Sequence, residues 1–152
     1  TQPESSAASD VYKRQGKPLI EILRSNEHDE ELLIKVGRSI RELHRNAVNH
    51  GDLSTNNILI SDNRDAFLID LGLATREYDL EGFGIDLHVL HEILRASHPD
   101  VKGAMDLVLK GYSQLDEELG KPEAAPGGFP PDAEDVIKRL GQIMKRVRYH
   151  GG

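Results

Sequence analysis

Two short apolar runs, Asn57-Ile58-Leu59-Ile60 and Ala66-Phe67-Leu68-Ile69, flank the polar gap Ser61-Asp62-Asn63-Arg64-Asp65. Apolar runs this short, separated by turn-forming residues, read as two strands of a β-hairpin. A hairpin sets its two outer ends side by side. Here the loop ahead of the first strand carries Asp52 and Asn57, and the second strand runs out into Asp70. One turn is therefore expected to bring three oxygen-bearing side chains to a single edge.

The rest of the chain reads as helix. From Asn26 onward, Leu32, Leu33, Val36, Ile40, Leu43 and Ala47 recur at three- and four-residue steps, with Asn26 or Asp29 as cap. Asp86 is expected to open a second helix through Leu87, Val89, Leu90, Ile93 and Leu94, broken by His98-Pro99-Asp100. Asp100 then caps a third helix carrying Val101, Ala104, Met105, Val108 and Leu109. Residues 120–132 are rich in Pro and Gly and read as a loop. Asp132 caps a last helix with Val136, Ile137, Leu140, Ile143, Met144 and Val147 on one face, running into a basic tail over 145–152. The expected fold is α+β, mainly α: a helix, a hairpin, then three helices, over residues 16–149.

Composition narrows the function classes. Without Cys there is no disulfide, no thiol nucleophile and no Cys-based zinc site. A net charge of -7 argues against a whole surface built for nucleic acid. No apolar run approaches the ~20 residues of a membrane span, and no signal-peptide pattern opens the chain, so a cytoplasmic protein is expected. Residues 1–15 lack periodicity and are expected to be disordered. Their Asp10-Val11-Tyr12-Lys13-Arg14-Gln15 is what GATGTGTATAAGAGACAG, an adaptor end from transposase-based sequencing libraries, would encode, so part of the segment is expected to be non-native, the other reading being an ordinary flexible terminus.

The spacing of the oxygen-bearing residues has a chemical meaning. Phosphoryl transfer needs positioned phosphates, Mg²⁺ to offset developing charge, and a group that orients the attacking hydroxyl. The protein-kinase pattern H-R-D-x-x-x-x-N followed by D-F-G supplies these. Here Asp52 precedes Asn57 by five residues, His50 stands two before Asp52, and Asp70-Leu71-Gly72 occupies the place of D-F-G. Asp52 is thus the candidate catalytic residue, with Asn57 and Asp70 the candidate Mg²⁺ and ATP ligands.

The strings "VNHGDLSTNNILI", "AFLIDLGLA", "GIDLHVLHEILRASHPD" and "VIKRLGQIMKRVRY" together resemble the atypical serine/threonine kinase of the KEOPS tRNA-modification complex, a relative of the RIO kinases. The resemblance runs from about Gly16 to Tyr149. It implies a kinase-like C-lobe, ATP and Mg²⁺ as cofactors, and a role in threonylcarbamoyl modification of tRNA adenosine. The implied partners are the threonylcarbamoyl-transferase and other KEOPS subunits. It further implies that Asp86 is the buried helix carboxylate that, with His50, supports the catalytic loop. A tail of the "KRVRY" kind, with Lys145, Arg146 and Arg148, is the candidate contact to tRNA or nucleotide.

Three departures from ordinary protein kinases follow. Gly51 replaces the Arg that pairs with a phosphorylated activation loop, so that switch has lost its receptor. Only 15 residues separate Asp70 from Asp86, too few for the usual peptide platform. No Gly-rich loop or strand Lys precedes Asp52, so the N-lobe is expected to be missing and this chain alone to be nearly inactive. Two other readings remain: an aminoglycoside- or choline-kinase-like phosphotransferase, from which "STNN", "DLGLA" and "SHP" point away, and a non-catalytic scaffolding subunit. His88 and His91, three residues apart on a helix, lack a third metal ligand and read as helix surface.

Overall fold

The computed structural model describes residues 16–76, 79–124 and 128–151, without the side chains of 149–151. The first 15 residues, and with them the expected disorder and adaptor translation, lie outside the described residues. The elements are β1 (Gly16–Pro18), α1 (Leu19–Arg24), α2 (Glu30–Arg45), β2 (Val48–Asn49), β3 (Ile58–Ser61), β4 (Ala66–Leu68), a 3₁₀ turn (Leu71–Leu73), β5 (Thr75–Arg76), α3 (Leu80–Ser97), α4 (Ala104–Leu119) and α5 (Ala133–Gly151). The fold is α+β with helices dominant, as expected.

The hairpin forms as the turn chemistry requires. β3 and β4 pair antiparallel with Ile58 opposite Leu68 and Ile60 opposite Ala66. Arg64, at φ 67°, makes the turn, and Ser61 N–H donates to the Asp65 carbonyl at 2.9 Å. Two pairings were not anticipated. β1 adds to the free edge of β3, Lys17 opposite Ile60, and β2 pairs with β5, Val48 opposite Arg76. The second pairing ties the segment after Asp70 back to the strand that leads into His50.

α2 begins where Asp29 accepts from Leu32 N–H at 2.8 Å; Asn26 is not the cap but a left-handed turn residue at φ 57°. Its buried face is rotated from the expected one: Arg41 and His44 point inward with Ile40, while Leu43 is half-buried. α3 starts at Leu80, with Asp79 accepting from Glu81 N–H at 3.1 Å, so Asp86 lies mid-helix rather than at its start. α4 starts after Gly103, not Asp100; residues 98–101 form a turn in which Val101 N–H donates to the His98 carbonyl at 3.1 Å. Asp132 does cap α5, accepting from Asp135 N–H at 2.9 Å. That helix continues to Gly151, so Lys145, Arg146 and Arg148 sit on a helix rather than a tail.

The core is aliphatic, built from Leu32, Val36 and Ile40 of α2, Leu87 and Leu90 of α3, Val108 of α4 and Val136 and Leu140 of α5, with Phe83 and Tyr112 as its large rings. α2 and α4 cross at two glycines. A Cβ on Gly37 would overlap the Val108 carbonyl, and one on Gly111 the Ile34 carbonyl. Bare backbone at both positions lets the helices touch.

Candidate active site

The loop from Asn49 to Asn57 is held from below by one carboxylate. Asp86, buried on α3, accepts from His50 N–H at 2.7 Å and Gly51 N–H at 3.0 Å. It also takes the Nε2–H of His44 at 2.9 Å. The Asn49 amide, with its NH₂ turned toward Asp86, donates to both carboxylate oxygens at 3.2 and 2.8 Å and to the Gly82 carbonyl at 3.0 Å. A carboxylate this far from water is stable because every lone-pair direction meets a donor.

His50 ties the loop to the hairpin. Its Nδ1 accepts from Asp52 N–H at 3.1 Å, which makes Nε2 the protonated nitrogen, donating to the Ile69 carbonyl at 2.9 Å. One imidazole thus fixes the residue that bears the candidate catalytic carboxylate and the residue just ahead of Asp70. Ile69 N–H in turn donates to the Asn57 carbonyl at 2.9 Å. The Asn57 amide donates to the Asp52 carbonyl at 2.8 Å and to Asp52 Oδ2 at 3.2 Å.

Asp52, Asn57 and Asp70 therefore come together at one end of the hairpin. Among the described residues, nothing donates to Asn57 Oδ1, to Asp52 Oδ1 or to either carboxylate oxygen of Asp70. Asp70 holds φ 61° and ψ 60°, a left-handed conformation that Asp tolerates because of its short polar side chain. The Asp70 carboxylate, the free oxygen of Asp52 and the Asn57 amide oxygen are a donor set suited to a hard cation that takes one or two protein ligands and fills the rest with phosphate and water. No group of three or more His, Cys, Asp or Glu arranged for a metal occurs among the described residues, His88 and His91 included.

Beneath the loop runs a buried chain that the sequence did not disclose. His44 Nδ1 accepts from the Tyr112 hydroxyl at 2.7 Å. Burial lowers the His44 pKa, against the opposing pull of Asp86. Burial likewise pushes Tyr112 well above the ordinary tyrosine range. Arg41 donates to the Tyr112 oxygen at 3.4 Å and grips Asp116 with Nε at 2.8 Å and Nη2 at 3.1 Å. Asp116 also accepts from Arg45 at 2.8 Å and from Ala133 N–H, at the start of α5, at 2.8 Å. Burial works against its ionisation, yet the donors, Arg41 foremost, hold its pKa below the ordinary value. Thr55 meets the buried His98 at 3.1 Å, a second brace under the loop.

The basic cluster of α5 divides. Arg146 is drawn to Glu81 at 2.8 Å and Arg139 reaches the same carboxylate at 3.4 Å. Lys145 and Arg148 are exposed, with no ion pair among the described residues.

Residues 15–97 match the lipopolysaccharide kinase (Kdo/WaaP) family. A probable serine/threonine-protein kinase BUD32 homolog of Archaeoglobus fulgidus is 34% identical over 115 residues, 76% of this chain and 51% of that protein. The KEOPS complex subunit Bud32 of Pyrococcus abyssi is 34% identical over 139 residues, 89% of this chain and 57% of that protein. A probable bifunctional tRNA threonylcarbamoyladenosine biosynthesis protein of Methanosarcina mazei is 36% identical over 115 residues, 76% of this chain but 18% of that protein. The chain thus spans about half the length of the first two and under a fifth of the third. The resemblance read from the motifs is borne out: the chain belongs to the lipopolysaccharide kinase (Kdo/WaaP) family, with homologues named Bud32 and tRNA threonylcarbamoyladenosine biosynthesis protein.

Proposed function

We propose that the chain is the catalytic-loop half of an ATP-dependent atypical serine/threonine kinase or ATPase of the KEOPS type. The observation that carries this reading is the gathering of Asp52, Asn57 and Asp70 at the hairpin end, over a loop fixed by His50 and Asp86. In this role Asp52 orients the attacking hydroxyl or water, held at its own rotamer by the Asn57 amide. Asn57 Oδ1 and the Asp70 carboxylate hold Mg²⁺. Bound Mg²⁺ would offset the charge that develops on the transferred phosphoryl group. His50 and Asp86 keep the three groups in register and touch no substrate. The partners of such a half are the threonylcarbamoyl-transferase and other KEOPS subunits, and ATP turnover there supports modification of tRNA adenosine. Of the three basic residues considered for tRNA, Arg146 is already neutralised by Glu81, which leaves Lys145 and Arg148 as the candidate phosphate contacts.

A protein of the relatives' length has further residues to complete the nucleotide clamp, so the test compares two chains. The 152-residue chain is expected to have negligible ATPase activity, and a full-length relative to turn over ATP. The equivalents of Asp52→Ala and Asp70→Ala in that relative are expected to lower turnover by about 10²-fold or more. Unchanged turnover in Asp70→Ala, measured by phosphate release, would exclude the assigned metal role.

A further inference from the structure

Away from the hairpin, α3 carries a stripe of His88, His91 and Arg95, extended by His98 at its C-cap. The steps of three, four and three residues put all four on one side of the helix. Two cavities meet along that stripe. One, about 410 Å³, is lined by His91, Arg95, His98 and Lys102 over a floor of Leu94 and Met105. The other, about 320 Å³, is lined by His88, His91, Arg95 and Arg148 beside Met144 and Val147 of α5. His91 and Arg95 form the ridge they share.

The local charge is opposite to that of the chain, whose net value is -7. Two carboxylates border the stripe: Glu92, engaged with Arg95 at 2.8 Å, and Asp106. Exposed Lys102 and Arg148 make no ion pair with a described residue. His88 Nε2 is buried without a hydrogen-bond partner, 3.6 Å from Glu92 Oε1. Among the described residues, both floors are aliphatic or thioether, with no Phe, Tyr or Trp in the lining.

We infer that this face of α3 docks an acidic, amphipathic peptide segment of a partner protein, with apolar side chains in the two cavities and carboxylates on Lys102, Arg148 and the His91–Arg95 ridge. Cationic rims around aliphatic floors suit a peptide that offers both chemistries. Single-stranded nucleic acid would draw on Phe, Tyr or Trp platforms, and the described lining offers cations and aliphatic groups instead. From residue 88 to residue 98 the helix spans roughly 15 Å, the length of nearly three turns of a partner helix. His98 meets the loop through Thr55, but neither cavity is lined by Asp52, Asn57 or Asp70, so the surface serves recruitment rather than chemistry.

Fluorescence anisotropy on the 152-residue chain tests this with a labelled helical peptide bearing Leu at every third and fourth position and Glu elsewhere. Controls are an all-Glu peptide and a single-stranded RNA of equal charge. The amphipathic peptide is expected to bind saturably and to slow hydrogen exchange over residues 88–98. Lys102→Glu with Arg148→Glu is expected to weaken it by about tenfold or more, and Lys110→Glu, on the exposed side of α4, to leave it unchanged. Since the substituted residues are exposed, circular dichroism should report an unchanged fold. Absence of saturable binding, equal affinity for RNA or all-Glu peptide, or an unaffected double variant would overturn the inference.

Discussion

Replacing Asp86 by Ala removes the one acceptor on which four donors converge: His50 N–H, Gly51 N–H, His44 Nε2–H and the Asn49 amide. Gly51 N–H lies near the surface and can be rehydrated. His50 and His44 are fully buried, so their donors lose a partner that water cannot replace. An unsatisfied buried donor costs roughly 1–3 kcal/mol. Two such donors plus the weakened Asn49 contacts sum to about 4 kcal/mol. Against a total of about 5–15 kcal/mol for a domain, this is a large share. With a urea m-value of about 2 kcal/mol/M, the midpoint should fall by about 2 M. Asp86→Asn keeps one acceptor oxygen and should lose roughly half as much. Hydrogen exchange at residues 50 and 51 should accelerate more than in α4, because the loop is released before the helix pair. A midpoint shift below about 0.5 M for Asp86→Ala, or unchanged exchange at the loop, would refute the claim that this carboxylate organises it.

Gly37→Ala and Gly111→Ala force a Cβ into the opposing carbonyl and should each cost about 3 kcal/mol or more through separation of α2 and α4, whereas Gly141→Ala, with open space around it, should gain about 0.5–1 kcal/mol; thermal melts decide. Gly51 sits at φ 90° with its Cβ position 2.5 Å from the Leu73 carbonyl, so Gly51→Ala should cost about 1–3 kcal/mol and loosen the β2–β5 pairing, read by exchange at Thr75 and Arg76. The His44 pKa is lowered from 6.5 by burial, so its contribution is complete above about pH 6.5 and is lost as pH falls toward the folded value, the unfolded chain taking up a proton that the folded chain refuses. Urea titrations at falling pH should lose up to about 1.4 kcal/mol per pH unit from this group, with a shallower slope in His44→Gln.

Much of the candidate site was legible because it depends on local order. The hairpin needs only its own turn, and Asp52, Asn57 and Asp70 are spaced by that hairpin. What escaped was whatever a distant segment decides. β1 and β5 are two or three residues long and are strands only because Leu59 to Ser61 and Val48 to Asn49 lie alongside them. The start of α3 was misplaced for a related reason. Gly82 and Gly84 interrupt the apolar pattern, and local propensity counts them as breaks. In the fold, the missing Cβ of Gly84 makes room for Ile143 and Arg139, whose atoms would otherwise lie 2.8 and 3.1 Å away. The glycine is spent on contact between α3 and α5, not on a turn.

The same logic applies to the polar residues on the inner face of α2. Arg41 and His44 break the periodicity of a core helix, so a pattern search favours Leu43 and sets the face askew. Their burial makes sense only with Asp86, Tyr112 and Asp116 in place, 71 and 75 residues on in the case of Arg41. From Gly51 through Asp86, His44, Tyr112 and Arg41 to Asp116 and the first turn of α5, every donor has an acceptor. Breaking any link exposes two buried polar groups instead of one, since each member serves the next. A loop and strand end that hold unpartnered oxygens on Asp52, Asn57 and Asp70 have no stabilisation of their own to offer. Its position follows from a chain of satisfied groups that reaches through the core to a helix on the other side.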